Sequence, residues 1–406
     1  MKILIITNSY PPEIRSTSHL MYEMATEMQS LGHEVTVLTS FPGYNLAEGV
    51  DREAIQEVTD EDGVKVLRAR TLPLKKVGYL RRGLAEVGLP FNLLNLLKKN
   101  ADDFDAIWVF SPPLTLALLA GWLKRKYKAT LLMNAQDIFP QNGIDLGIIT
   151  NPALIFAYEK MERKAYAFAD YILVHSEQNR DFLVDKKQVP ESKLVMQYNW
   201  VDIEPFDRVQ RTGRFREAYG LDGQVVVLFG GVFGPSQGLE AVLEVAEHFQ
   251  DDPELAFLLV GDGSQKPKLE ALLEDKGLDN VVIRPFVSKD EYPALVKDAD
   301  IGLACLAPEV KTPVVPGKIQ GYMAAGVPIW GILNKESDGH GLVKEAEAGR
   351  TVNAGDIEAA IEALKELKDS TELRQRLGQN GREYAEQNLA KSACIQNILG
   401  LIEQKA

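Results

Sequence analysis

Short apolar runs alternating with helix-patterned segments constrain this chain more than any other feature. Residues 2–7 form an apolar run of buried-strand character, and residues 23–31 place apolar side chains at helical spacing. Gly32 ends that helix and residues 34–39 are apolar again. Strand, helix and strand in that order make a βαβ unit. The pattern recurs with strands at 105–110, 129–133 and 171–175 and helices at 114–124, 154–168 and 177–185. A second series opens at 223–230. It continues through a helix at 237–248, a strand at 256–260, a helix at 266–275 and strands at 281–284 and 301–306. A helix after Pro316 and a strand at 327–331 complete it. The expected fold class is α/β, two Rossmann-like parallel-sheet domains facing across a cleft. The expected domains are 1–200 and 201–380, with 381–406, the end of a final helix over 371–405, returning to the first. In such sheets ligands bind at the C-terminal ends of the strands.

Composition narrows the class. The chain has 406 residues, 45% of them hydrophobic, enough for two cores of about 200 residues each. Cys305 and Cys394 are the only cysteines, which argues against a disulfide framework and for a cytosolic setting. The apolar start is too short for a signal peptide, and no apolar run reaches the roughly 18 residues of a membrane helix. The net charge of −13 speaks against nucleic acid as a partner. That charge is uneven: residues 1–200 hold 23 basic and 24 acidic side chains, and residues 201–406 hold 22 and 34. The first half can therefore approach an anionic surface that the second half would avoid. Within it, residues 72–99 set Lys75, Lys76, Arg81, Arg82, Lys98 and Lys99 among leucines, Val77 and Phe91. This suits either an anionic membrane surface or a helix packed on the sheet.

Three places could carry chemistry. Phe229-Gly230-Gly231-Val232-Phe233-Gly234-Pro235 follows a strand and precedes a helix, so it is either a tight turn or a cradle in which backbone approaches a phosphate. Lys318 stands at the mouth of a helix that starts after Pro316-Gly317 and stops at Gly326, which makes an anion site or a surface lysine. Asp137, in Gln136-Asp137-Ile138-Phe139-Pro140 after a strand, is placed as a cleft residue or a turn cap. Ser16 and Thr17 follow the first strand, where they could cap the next helix and meet an anion. The five histidines lack ligand spacing, so no metal site is expected.

The chain resembles retaining glycosyltransferases of the GT-B fold, family 4, nearest to a subgroup that adds N-acetylated aminosugars such as N-acetylfucosamine to bacterial surface polysaccharides. The resemblance rests on Ser9-Tyr10-Pro11-Pro12-Glu13, residues 31–39, residues 136–140, Tyr198-Asn199-Trp200-Val201-Asp202, residues 230–238 and residues 316–328. It implies a nucleotide-sugar donor, UDP-linked by expectation, on the second domain and no metal or other cofactor. It also implies an undecaprenyl-diphosphate-linked saccharide acceptor and a cytoplasmic, peripheral place at the inner face of the membrane.

By the same resemblance Gly230, Gly231 and Gly234 face the donor diphosphate, Lys318 touches its phosphates, and Asp137 lies near the reacting sugar. Arg284 and Phe286 adjoin the segment that cradles the base. The chain departs from the family pattern where Gly231 and Gln237 replace an arginine and a lysine. Pro313 and Gly321 stand where two glutamates are usual, which leaves Glu309 as a candidate for the ribose. Two other readings stay open: an epimerase of the same fold acting on UDP-N-acetylhexosamine, and a non-catalytic scaffold subunit of a polysaccharide assembly complex.

Overall fold

Consecutive apolar positions leave no solvated face, so such runs become interior strands with helices on both sides of the sheet. A computed structural model of the chain shows this arrangement twice. It describes residues 1–405 apart from 44, 45, 47–49, 72–78, 101, 102, 146 and 312, with the backbone alone at 79–84 and 86. Two units result, Met1–Asn199 with Cys394–Ala406, and Trp200–Ala393.

The first unit has strands β1 (Lys2–Ile6), β2 (Glu34–Ser40), β3 (Val58–Glu61), β4 (Val64–Ala69), β5 (Ala106–Ser111), β6 (Thr130–Ala135), β7 (Tyr171–Val174) and β8 (Leu194–Met196). Their order in the sheet is β3-β4-β2-β1-β5-β6-β7-β8, and every pairing is parallel except β3 with β4. The order reverses between β1 and β5. Leu89, Leu93 and Leu97 of helix Tyr79–Asn100 lie one turn apart and pack into the core with Leu4, Val109 and Met133.

Strands β3, β4 and β8 escape the sequence pattern. β3 is a short polar edge strand, and β4 carries a buried arginine where periodicity expects an apolar residue. That residue, Arg68, makes a two-armed pair with Glu61 (2.6 and 2.9 Å) and donates to Thr59 and to the Pro11 carbonyl. Burial would raise the Glu61 pKa, but hydrogen bonds from Arg68 and Thr59 and the charge of Arg68 hold it below the usual range. One guanidinium thus joins the antiparallel edge to the loop after β1.

The helix expected over 371–405 is two helices, Thr371–Tyr384 and Lys391–Lys405. The break has a backbone cause. Val201 donates its N–H to the Leu389 carbonyl (2.8 Å), and its own carbonyl accepts from the Lys391 N–H (3.1 Å). Ala390 is therefore held extended, and the helical ladder cannot pass it. Only residues from Cys394 onward group with the first unit, where Cys394, Ile395, Ile398, Leu399 and Ile402 are buried.

The second unit has β9 (Val225–Gly230), β10 (Leu255–Val260), β11 (Val281–Arg284), β12 (Ile301–Cys305), β13 (Ile329–Leu333) and β14 (Gly349–Asn353). All pairings are parallel in the order β11-β10-β9-β12-β13-β14, with the reversal between β9 and β12. The sequence reading omits β14, a partly exposed strand at the sheet edge. β9 pairs with β10 along its whole length, yet with β12 only at Ile301↔Val227 and Gly302↔Leu228. Past Leu228 that ladder stops.

Candidate functional site in each unit

Where the ladder between β9 and β12 stops, helix Gly317–Ala325 supplies a substitute. The buried Tyr322 hydroxyl donates to the Leu228 carbonyl at 2.9 Å and lies 3.2 Å from the Leu303 carbonyl, so one group serves both strands. Its ring lies against Gly302, where a Cβ would stand 2.4 Å from the nearest ring atom. Only glycine fits there.

Lys318 lies one turn earlier on the same helix and so on the same face. Its ammonium donates to Gln237 Oε1 at 2.8 Å and sits 4.4 Å from the centre of the Phe229 ring. Gly231, with φ of +153°, passes so close that a Cβ would lie 2.9 Å from Lys318 Cε. Burial lowers the Lys318 pKa. No carboxylate pairs with this lysine among the described residues. A desolvated cation held by a neutral amide and an aromatic face is suited to accept an anion.

The structure brings Lys318, Gly231 and Gln237 together, with the Gly234 carbonyl accepting from the Gln237 N–H at 3.0 Å. Gly230 adjoins Tyr292, and Gly234 opens the short turn Pro235–Gln237. Arg284 ends β11 with its guanidinium over Tyr219 and bonded to the Ile283 carbonyl. Phe286 and Glu309 are exposed. Gln237, read from sequence only as a departure, is the side chain that holds the lysine.

In the first unit the cap expected of Ser16 and Thr17 is not made. Arg15 occupies the N-cap position with extended backbone and no side-chain bond, and both residues lie in the first turn of helix Ser16–Ser30. The loop is fixed instead by a buried cluster that sequence reading missed. Ser9 donates to Glu13 Oε2 at 2.6 Å and lies 2.7 Å from the Ser18 hydroxyl, while Glu13 Oε1 accepts from the Gly43 N–H at 2.9 Å. Ser9 and Glu13 lie in a stretch that carries the resemblance, but nothing in their spacing announces the contact with each other or with Ser18. Of the basic stretch at 72–99, Lys75 and Lys76 lie outside the described residues, and Arg81 and Arg82 are described in backbone only.

Asp137 follows β6 and is exposed as a residue, yet protein packed around its carboxyl raises the pKa above the usual carboxylate range by desolvation. His175, just after β7, bonds through Nε2 to Asn134 Oδ1 at 2.6 Å. Burial of its ring pushes the pKa down to about 4. Ser176 caps helix Glu177–Asp185, as its position predicts.

Two doubly wound, mostly parallel units in one chain, the second with a buried lysine at its switch point, define a nucleotide-binding α/β class. Residues 18–200 match the family description "Glycosyl transferase 4-like domain", and residues 212–384 match "Glycosyl transferases group 1". The chain is a glycosyltransferase of the GT-B fold.

WcaI of Escherichia coli (strain K12), whose name assigns it provisionally to colanic acid biosynthesis as a glycosyl transferase, is 27% identical over 80% of this chain and 82% of its own. Alpha-D-kanosaminyltransferase of Streptomyces kanamyceticus is 25% identical over 63% of this chain and 65% of its own. Among solved structures, a sucrose-phosphate synthase from Thermosynechococcus elongatus shares the fold with a TM-score of 0.72 at 15% identity, covering 100% of this chain and 98% of that one. Anabaena HepE in complex with UDP gives 0.70 at 15% identity, covering 100% of both chains.

Two outcomes follow from this geometry. Tyr322→Phe removes the donor shared by two buried carbonyls and should cost about 1–3 kcal/mol in urea unfolding; unchanged stability would refute the bridging role. For His175, the unfolded chain takes up a proton near the ordinary value of 6.5 that the folded chain refuses until about 4. Stability should therefore fall by up to about 3 kcal/mol as pH drops through that window. His175→Gln should flatten this slope, and equal slopes in the two proteins would count against it.

Proposed function

We propose that the chain is a retaining transferase that moves an N-acetylhexosamine-type sugar, N-acetylfucosamine included, from a UDP-linked donor to a lipid-diphosphate-linked saccharide during assembly of a surface polysaccharide. Lys318, a desolvated cation with no carboxylate paired to it among the described residues, at the switch point of the second unit, is the observation that carries this reading. The donor diphosphate lies against Gly230, Gly231, Gly234 and Lys318, with Arg284 and Phe286 toward the base and Glu309 toward the ribose. The acceptor is served by the first unit, at Ser16, Thr17 and Asp137. Support for the nucleotide comes from HepE in complex with UDP, and for the pathway from the names of WcaI and of WaaG, a lipopolysaccharide glycosyltransferase of related fold.

The reaction breaks the bond from the anomeric carbon to the donor phosphate oxygen and forms a bond to the acceptor hydroxyl on the same face. The leaving phosphate oxygen takes the acceptor proton. Lys318 and N–H groups of the turn stabilise the charge that develops on the departing diphosphate.

The membrane part rests on helix Tyr79–Asn100. It buries Leu89, Leu93 and Leu97 while exposing Val87 (61%) and Phe91 (66%), with Lys98 close to the exposed Trp122. No helix among the described residues is long and apolar enough to cross a membrane.

Lys318→Ala should lower kcat about 100-fold or more on a prenyl-diphosphate sugar with UDP-N-acetylhexosamine, read by product mass. Undiminished turnover in that variant would sink the mechanism. Turnover to an epimer without acceptor, or donor binding with no turnover, would replace the transferase reading itself. Phe91→Ser should reduce co-sedimentation with anionic vesicles; equal sedimentation would remove this helix from the membrane contact.

A further inference from the structure

The second unit has a cavity of about 490 Å³, lined among others by Arg211, Lys297, Asp300, Gly326, Thr371 and Arg374. Asp300 and Gly326 lie on the segments that lead into β12 and β13, so the cavity is at the N-terminal ends of these strands, whereas Lys318 lies beside Phe229 and Gly231 at the C-terminal end of β9. Its charge runs against the surrounding sequence. Residues 201–406 hold 22 basic and 34 acidic side chains, yet three cations meet here.

The acids at the cavity are already engaged. Asp300 accepts from Arg211 at 2.7 Å, from Arg216 behind it and from the Val226 N–H at 2.9 Å. Asp207, also on the wall, accepts from Arg382 at 2.7 Å. Lys297 and Arg374 have no carboxylate hydrogen-bonded or ion-paired to them among the described residues. Arg374 donates through Nη1 to the Leu367 and Lys368 carbonyls and through Nη2 to the Thr371 hydroxyl, which leaves its Nε–H and second Nη2–H without an acceptor among the described residues. Burial lowers its pKa, and although Asp300 opposes this, Arg211 and Arg216 push it further down. These cations crowd one another. The first turn of helix Thr371–Tyr384 adds the positive end of its dipole at the same wall.

We infer that this cavity binds a small phosphorylated molecule, at a site separate from the donor site. Guanidinium groups match phosphoryl oxygens in geometry and charge. The volume falls within the range of about 300–1,000 Å³ typical of small-molecule sites and leaves room for an organic group beside the phosphate.

Calorimetric titration with ribose 5-phosphate and with inorganic pyrophosphate tests this. Binding of at least one probe should persist within about twofold in Lys318→Ala, weaken about tenfold or more in Lys297→Gln, and fall as salt is added. Absence of binding by both probes at millimolar concentration, loss in Lys318→Ala rather than Lys297→Gln, or equal binding in Lys297→Gln and the parent would each overturn the site. Amide hydrogen exchange of the unaltered protein gives a check that needs no variant. The bound probe should slow exchange at 371–375, and protection only around 230–238 would place it in the donor site instead.

Discussion

The second unit depends on one hydroxyl. Parallel strands that turn away from each other at a switch point leave carbonyls facing a gap, and buried carbonyls without donors are costly. Tyr322 fills that gap from the side and serves Leu228 and Leu303 together. Because Lys318 is one turn away on the same helix, the group that closes the sheet also sets where the cation stands. Gly302 makes the ring's approach possible. Stability and site geometry here are one constraint, so a change at Tyr322 reaches both.

The replacements at positions 231 and 237 have a related logic. A side chain on Gly231 would collide with the Lys318 stem, and the amide of Gln237 accepts from its ammonium. An arginine at 231 would add charge but collide with Lys318 in its present pose, and a lysine at 237 would have no oxygen to accept from its ammonium. The chain therefore gathers its positive charge on one residue and lowers its solvation by burial. A single desolvated cation interacts more strongly with an incoming anion than the same charge in water does.

Much of this was legible beforehand, and the reasons for the misses are specific. Apolar runs and glycine stops located both sheets because burial on two faces writes an unbroken apolar signature, as at residues 2–7 and 256–260. β3 and β14 lack it because they are edge strands with water on one side. β4 hides behind Arg68, whose partners Glu61 and Thr59 are brought close only by the folded hairpin. The interruption at Ala390 was invisible because its cause is Val201, nearly two hundred residues away in sequence. At the site, Lys318 stood out by its helix start, whereas Gln237 and the Ser9, Glu13, Ser18 cluster take their meaning from contacts that no local pattern encodes.

The buried face of residues 394–405 also has a consequence in time. The second unit is one continuous stretch of chain, while the first draws its last core residues, Ile395, Ile398 and Ile402 among them, from beyond that stretch. A ribosome adding about 5–20 residues per second therefore takes on the order of 10–40 s between finishing residue 199 and delivering the helix that completes the first unit. Through that interval the unit made first holds an uncovered apolar seat, and the unit made second can close before it. Order of synthesis and order of completion are reversed in this chain.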